Sequence, residues 1–171
     1  MGNVKVNKPL AYLVTFTTYG SWLHGEESGS IWKDKKKSST VLIKGNVKLK
    51  NSETMRLKNE AVCLNFSQRE CVLEAMLEVC RYRNWKAYVV CVLGNHVHAV
   101  VNADAEIERV MADFKSYSTR LLKRKFNGLP EKLWTRHGST RYLWSNESLA
   151  SAIKYVKEGQ GNDVVLGGVG K

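Results

Sequence analysis

The chain has 171 residues, 43% of them hydrophobic and five of them Trp, which suits one folded domain with a real core and excludes a disordered polypeptide. Lys and Arg number 27 against 16 Asp and Glu, and the net charge of +11 points to a polyanionic partner, nucleic acid above all. No window approaches the apolar length of a membrane span, and Met1-Gly2-Asn3-Val4-Lys5 lacks a charged-then-apolar leader, so the cytoplasm is the expected compartment. The four cysteines, Cys63, Cys71, Cys80 and Cys91, have no C-x-x-C spacing; three lie in apolar stretches and read as small core residues.

Taken along the chain, residues 10–18 (LAYLVTFTT) predict a first strand. Tyr12, Val14 and Phe16 fall on one of its faces, and Leu13, Thr15 and Thr17 on the other. Tyr19-Gly20-Ser21-Trp22-Leu23-His24-Gly25 then turns away. Residues 26–59 are polar and carry Lys33, Lys35, Lys36 and Lys37, which reads as a basic insertion, long for a loop in a compact domain. Within it, Val41-Leu42-Ile43 and Val47-x-Leu49 predict a minor hairpin around Gly45-Asn46.

A helix is expected from Ser67, with Ser67 and Glu70 at capping-box spacing, Phe66 and Cys71 as a hydrophobic staple, and Val72, Leu73, Met76, Leu77, Val79 and Cys80 inward. Tyr88-Val89-Val90-Cys91-Val92-Leu93 is an unbroken apolar run and reads as a buried strand. It leads into Gly94-Asn95-His96-Val97-His98. Alternate strand residues share a face, so His96 and His98 project side by side, a pair of imidazoles able to share a metal ion. A second helix is expected near Asp104, its stripe formed by Ile107, Val110, Met111, Phe114, Leu121 and Leu122. Lys115, Arg120, Lys123, Arg124 and Lys125 mark its basic outer face. Residues 134–144 are rich in Arg, Gly and aromatics, and Ser139 to Leu143 is the candidate fourth strand. A last helix opens at Asn146 as N-cap, turns Leu149, Ala152, Ile153 and Val156 inward and ends at Gly159; residues 161–171 read as a flexible tail. This order predicts an α+β domain spanning residues 1–171, ferredoxin-like (RRM-like), with helices packed on one face of an antiparallel sheet.

The strand ending in Asn95-His96-Val97-His98, the basic helix after it and the late helix with its lone Tyr155 together resemble the single-tyrosine HUH transposases. These comprise the small insertion-sequence enzymes and the REP-associated tyrosine transposases. The opening Y-L-V-T-F-T-T-Y-G-S-W-L-H-G, the stretch from Trp134 to Leu143 and Ala152-Ile-Lys-Tyr155-Val resemble the REP-associated branch. The resemblance implies that His96 and His98 bind a divalent metal, Mg²⁺ or Mn²⁺, and that Tyr155 is the nucleophile. It implies a third ligand one turn after the tyrosine, where this chain has Gly159, which offers no side-chain donor. Glu158 and Gln160 are the alternatives; on a continuous helix they would stand about 60° and about 140° from Tyr155. The amide matches the family's ligand chemistry, and the carboxylate binds a hard cation better.

The implied reaction is metal-dependent nicking and strand transfer on single-stranded or hairpin DNA. A tyrosine hydroxyl, ordinarily titrating near pH 10, attacks a polarised phosphodiester and leaves a 5′-phosphotyrosine link with a free 3′-hydroxyl. Lys115, Tyr117, Arg120, Lys123, Arg124 and Arg136 are the expected DNA contacts, Tyr117 as a stacking surface. His24 and His137 lack metal-ligand spacing to anything nearby and read as surface or DNA-proximal residues. Two rivals stand beside this reading: a binding module of the same fold with impaired chemistry, and an RNA-binding domain. The likeness permits a homodimer as well as a monomer, and the expected location is the nucleoid.

Overall fold

The computed structural model of the chain describes residues 8–21, 30–33, 40–43, 61–158 and 165–168. The expectations placed on His24, Lys35, Lys36, Lys37, Val47, Leu49, Gly159 and Gln160 concern residues outside that set.

Strand β1 (Ala11–Thr18) is followed by a two-stranded hairpin of β2 (Ser30–Lys33) and β3 (Thr40–Ile43). Val41-Leu42-Ile43 pairs with Ser30–Lys33, and the expected partner across Gly45-Asn46 lies outside the described residues. Helix α1 (Phe66–Tyr82), strands β4 (Lys86–Val92) and β5 (His96–Asn102), helix α2 (Ile107–Lys125), strand β6 (Trp134–Leu143), helix α3 (Asn146–Glu158) and the short strand β7 (Val165–Gly167) complete the order. The main sheet runs β6-β1-β5-β4-β7, with every neighbouring pair antiparallel. Counting β1, β4, β5 and β6 as first to fourth, their spatial order is fourth, first, third, second, the ferredoxin-like arrangement, with β7 added at the outer edge of β4. Three residues of the expected tail thus form an edge strand.

Helices α1 and α2 cover one face of the sheet, over Tyr12, Val14, Phe16, Val90, Val92, Val97, Ala99 and Val101. Full burial of Phe16 and Phe114 in this layer contributes roughly 1.5–3 kcal/mol each. Helix α3 crosses to the other face, where Ala152 and Val156 meet Ala11, Val89, Cys91, Val100 and Leu143. The sequence pattern predicts every helix on one side. The reason for the difference lies in β4 and β5, whose near-continuous apolar runs present hydrophobic side chains on both faces and need cover on both.

Helix starts also differ by a residue or two. Asn65, not Ser67, caps α1: its Oδ1 accepts from the Gln68 N–H at 2.9 Å, while Gln68 Oε1 accepts from the Asn65 N–H at 3.0 Å. The box is the expected motif two residues earlier, and Phe66 stands exposed instead of acting as a staple. Ser145, one residue before the expected cap, serves α3 by accepting from the Ser148 N–H at 3.2 Å. No helix among the described residues is long and apolar enough to cross a membrane.

Candidate active site

The face of the sheet beneath α3 is apolar at one end and polar at the other. Leu13, Val89, Cys91, Val100 and Leu143 fill the apolar part, and the polar part begins where Thr15 pairs with His98 and Thr17 with His96. The two imidazoles lie with ring centroids 4.8 Å apart at 80°. His98 is buried and His96 half-buried.

Each ring is held through Nδ1. The His98 Nδ1 and the Thr15 hydroxyl lie 2.7 Å apart, and His96 Nδ1 stands 2.7 Å from Asn95 Oδ1. An amide oxygen only accepts, so the His96 Nδ1–H donates and the ring's lone pair sits on Nε2. The same tautomer follows for His98 when its Nδ1–H donates to Thr15. Neutral imidazoles oriented by such partners are the form in which histidine ligates metal.

Helix α3 runs from the apolar end of the face toward the polar end, and Tyr155 comes where its buried stripe, ending in Val156, meets that boundary. The Tyr155 ring meets the His98 ring edge-on, centroids 5.7 Å apart, and remains 51% exposed. Half of the residue is therefore open to solvent while its ring meets His98.

The donor set fits a cation as far as two imidazoles carry it. Among the described residues, no group of three His, Cys, Asp or Glu side chains converges. Glu158 is exposed and lies 3.9 Å from Lys154, its i,i+4 partner. Cys91 pairs with His98 across β4 and β5, and burial pushes its thiol up to about 11. Burial likewise pushes Cys80 up to about 12.

The expected DNA contacts divide. Lys115 is turned into the protein. Opposite Thr17, strand β6 bulges, with Thr18 paired to Trp134 and Phe16 to Gly138. Lys115 Nζ donates into that bulge, to the carbonyls of Thr135, Arg136 and His137 at 2.9, 3.4 and 3.2 Å. Burial lowers its pKa. Lys123 Nζ donates to the Glu131 carbonyl at 3.2 Å. Arg120, Arg136 and His137 line a groove of about 690 Å³ between α2 and β6, together with Met111 and Glu108. Arg124 is exposed, and Tyr117 is half-buried beneath the Arg120 guanidinium, 4.2 Å from the ring centroid.

Sequence reasoning missed the supporting residues. Strand alternation placed Thr15 and Thr17 on one face, yet only register shows that this face belongs to the histidines. Thr135, whose hydroxyl is 2.9 Å from that of Thr17, carried no signal at all. Two imidazoles on an antiparallel ferredoxin-like sheet thus stand beside a tyrosine delivered from the covering helix. The model of the IS200-like transposases matches residues 48–158, and the chain belongs to that family.

Among solved structures, a REP-associated tyrosine transposase bound to a REP hairpin shares the fold at a TM-score of 0.52 and 12% identity, over 87% of this chain. This chain spans 65% of the length of that one. A structure from Deinococcus radiodurans R1, provisionally assigned as a transposase, overlaps more loosely, with a TM-score of 0.44 and 12% identity over 95% of this chain and 98% of the other. No curated protein sequence matches the chain.

Proposed function

We propose that this protein nicks and rejoins single-stranded or hairpin DNA through Tyr155, as a transposase. The observation that carries the reading is the contact of the exposed Tyr155 ring with His98, beside His96, at the open polar end of the sheet. His96 and His98 are the residues that would hold a divalent cation, Mg²⁺ or Mn²⁺, with Gln160 or Glu158 as third ligand. When bound, the cation would supply Lewis-acid polarisation of the scissile phosphate.

The chain's own residues do the rest. The Tyr155 oxygen forms a bond to phosphorus as the bond from phosphorus to the 3′-oxygen breaks. The phenolic proton passes to solvent, the departing 3′-oxygen takes one up, and the 5′-phosphate stays on the tyrosine. Attack by a 3′-hydroxyl on that link reverses the step without a nucleotide cofactor. Thr15 and Asn95 fix the imidazoles, and the exposed Arg120, Arg124 and Arg136 supply phosphate contacts.

Foldback DNA is the first substrate class to try, because the REP-associated neighbour was solved on a hairpin. Labelled oligonucleotides that fold back, incubated with Mn²⁺ and run on denaturing gels, should give a covalent adduct. It should vanish in Tyr155→Phe and with EDTA, while a shift assay shows the DNA still bound. One observation favours a second reading, a structured-DNA binder with lost chemistry: Gly159 stands where the resemblance implies the third ligand. Tight binding with no adduct from the wild-type protein would select it.

A further inference from the structure

On the helix layer, across the sheet from Tyr155, a second arrangement of side chains centres on Tyr82, which serves neither the core nor the site above. Tyr82, the last residue of α1, is 71% exposed, far more than a packing residue tolerates. Its ring faces that of Tyr117 on α2, with centroids 6.4 Å apart and planes tilted by 37°. Each tyrosine carries its own guanidinium: Arg83 lies 5.5 Å from the Tyr82 centroid and Arg120 lies 4.2 Å from that of Tyr117. Beside them is a dent of about 260 Å³, lined by Tyr117, Arg120, Leu121, Arg124 and the lone acid Glu78.

We infer that Tyr82 and Tyr117 form a clamp for one unpaired nucleobase of bound DNA, with Arg120 and Arg124 on the flanking phosphates. This rests on the reading of the chain as a DNA-handling protein and adds a site to it. Stacked bases repeat at roughly 3.4 Å, so a base held between two rings sets them about 7 Å apart. The two centroids now stand 6.4 Å apart with planes tilted by 37°, and Tyr82, whose ring stands in solvent, can swing to face Tyr117 across an inserted base. A duplex hides the faces of its bases within the stack, whereas an unpaired base offers them, and aromatic stacking accepts any sequence. The charge around the rings, three arginines against Glu78 and with Arg83 partly answered by Asp113 at 3.2 Å, suits a polyanion. The clamp lies a sheet's thickness from Tyr155, so the nucleotide it holds is a different one from that being cut.

The test compares a DNA hairpin carrying a ten-nucleotide unpaired tail with the same hairpin blunt, both bound by Tyr155→Phe protein so that no chemistry intervenes. The tailed probe should bind more tightly. Tyr82→Ala should weaken it about 5- to 150-fold, the range for losing one stacked base, and leave the blunt probe unchanged. Tyr82→Phe should stay close to the parent. A 2-aminopurine in the tail should lose fluorescence on binding to the parent and regain it in Tyr82→Ala. Equal binding of tailed and blunt probes, parallel losses on both, a Phe variant as weak as Ala, or an RNA tail outcompeting the DNA tail would each overturn the clamp. The adduct assay is separate. A wild-type protein that forms no adduct yet shows the Tyr82-dependent tail effect loses the nicking assignment and keeps the clamp.

Discussion

At the scale of single residues, the site depends on how two imidazoles are aimed. His98 is buried and its ring is fixed by the hydroxyl of Thr15, 2.7 Å from Nδ1 on the neighbouring strand. Replacing Thr15 with valine keeps the shape and the β-branched backbone preference but removes that partner. Stability should fall by about 1–3 kcal/mol, whereas affinity for Mn²⁺ should fall about 10- to 100-fold, as happens when an outer-shell partner of a metal histidine is lost. Calorimetric titration of Mn²⁺ into the two proteins checks this, and equal affinities would show that Thr15 does not orient His98. The paired histidines were legible because strand alternation is a local rule. So was the face shared by Thr15 and Thr17. Their meeting was not, because register between β1 and β5 depends on residues some 80 positions apart. Tyr82 escaped notice for the same reason, since its partner Tyr117 sits on another helix.

Among the elements, α3 matters most, since it carries Tyr155 and is fastened to the sheet chiefly by Ala152 and Val156. Val156→Ala removes two buried methyl groups from a fully buried position and should cost about 1–3 kcal/mol, read as a lower denaturation midpoint. Adduct formation should slow as well, under conditions where the sheet remains folded, because the helix then holds its tyrosine less firmly over His98. Unchanged adduct kinetics in the destabilised protein would mean that docking of α3 does not limit the chemistry. The strong periodicities of β1, α1, β4 and α2 made those elements legible to within a few residues. β6 was read only in its second half, and the bulge explains why. Thr135, Arg136 and His137 crowd opposite Thr17, and their carbonyls turn to Lys115 instead of a strand partner. Alternation fails there, and a lysine in a basic stripe gives no sign that it will be buried. Gly138, just past the bulge, is a place where backbone must approach closely, since a Cβ there would meet Met111 Sδ at 2.8 Å.

For the molecule as a whole, covering both faces of the sheet seals thiols on both sides, Cys80 on the inner face of α1 itself and Cys91 under α3. Burial raises their pKa values from 9.0 to about 12 and about 11, so above pH 9 the unfolded chain gives up these protons while the folded chain keeps them. The unfolded state then binds fewer protons than the native one, and stability must fall as pH rises. Each thiol contributes a slope of up to about 1.4 kcal/mol per pH unit, starting near the unfolded value and ending near its own folded one. Lys115 acts in the opposite sense, because its lowered pKa lets the native state lose a proton first. The whole chain, at +11 near neutrality, also sheds self-repulsion as its lysines titrate, which favours the compact state. Tyr12, Cys71 and Lys125, whose pKa values are also raised, add to the alkaline loss, so the share of Cys80 is read from its own variant. Urea unfolding at pH values from about 8 to about 11 should show that loss in the wild type, and a shallower one in Cys80→Ala measured against its own value near neutrality. Parallel profiles for the two proteins would mean that Cys80 ionises in the folded state, and that the layer over it admits water.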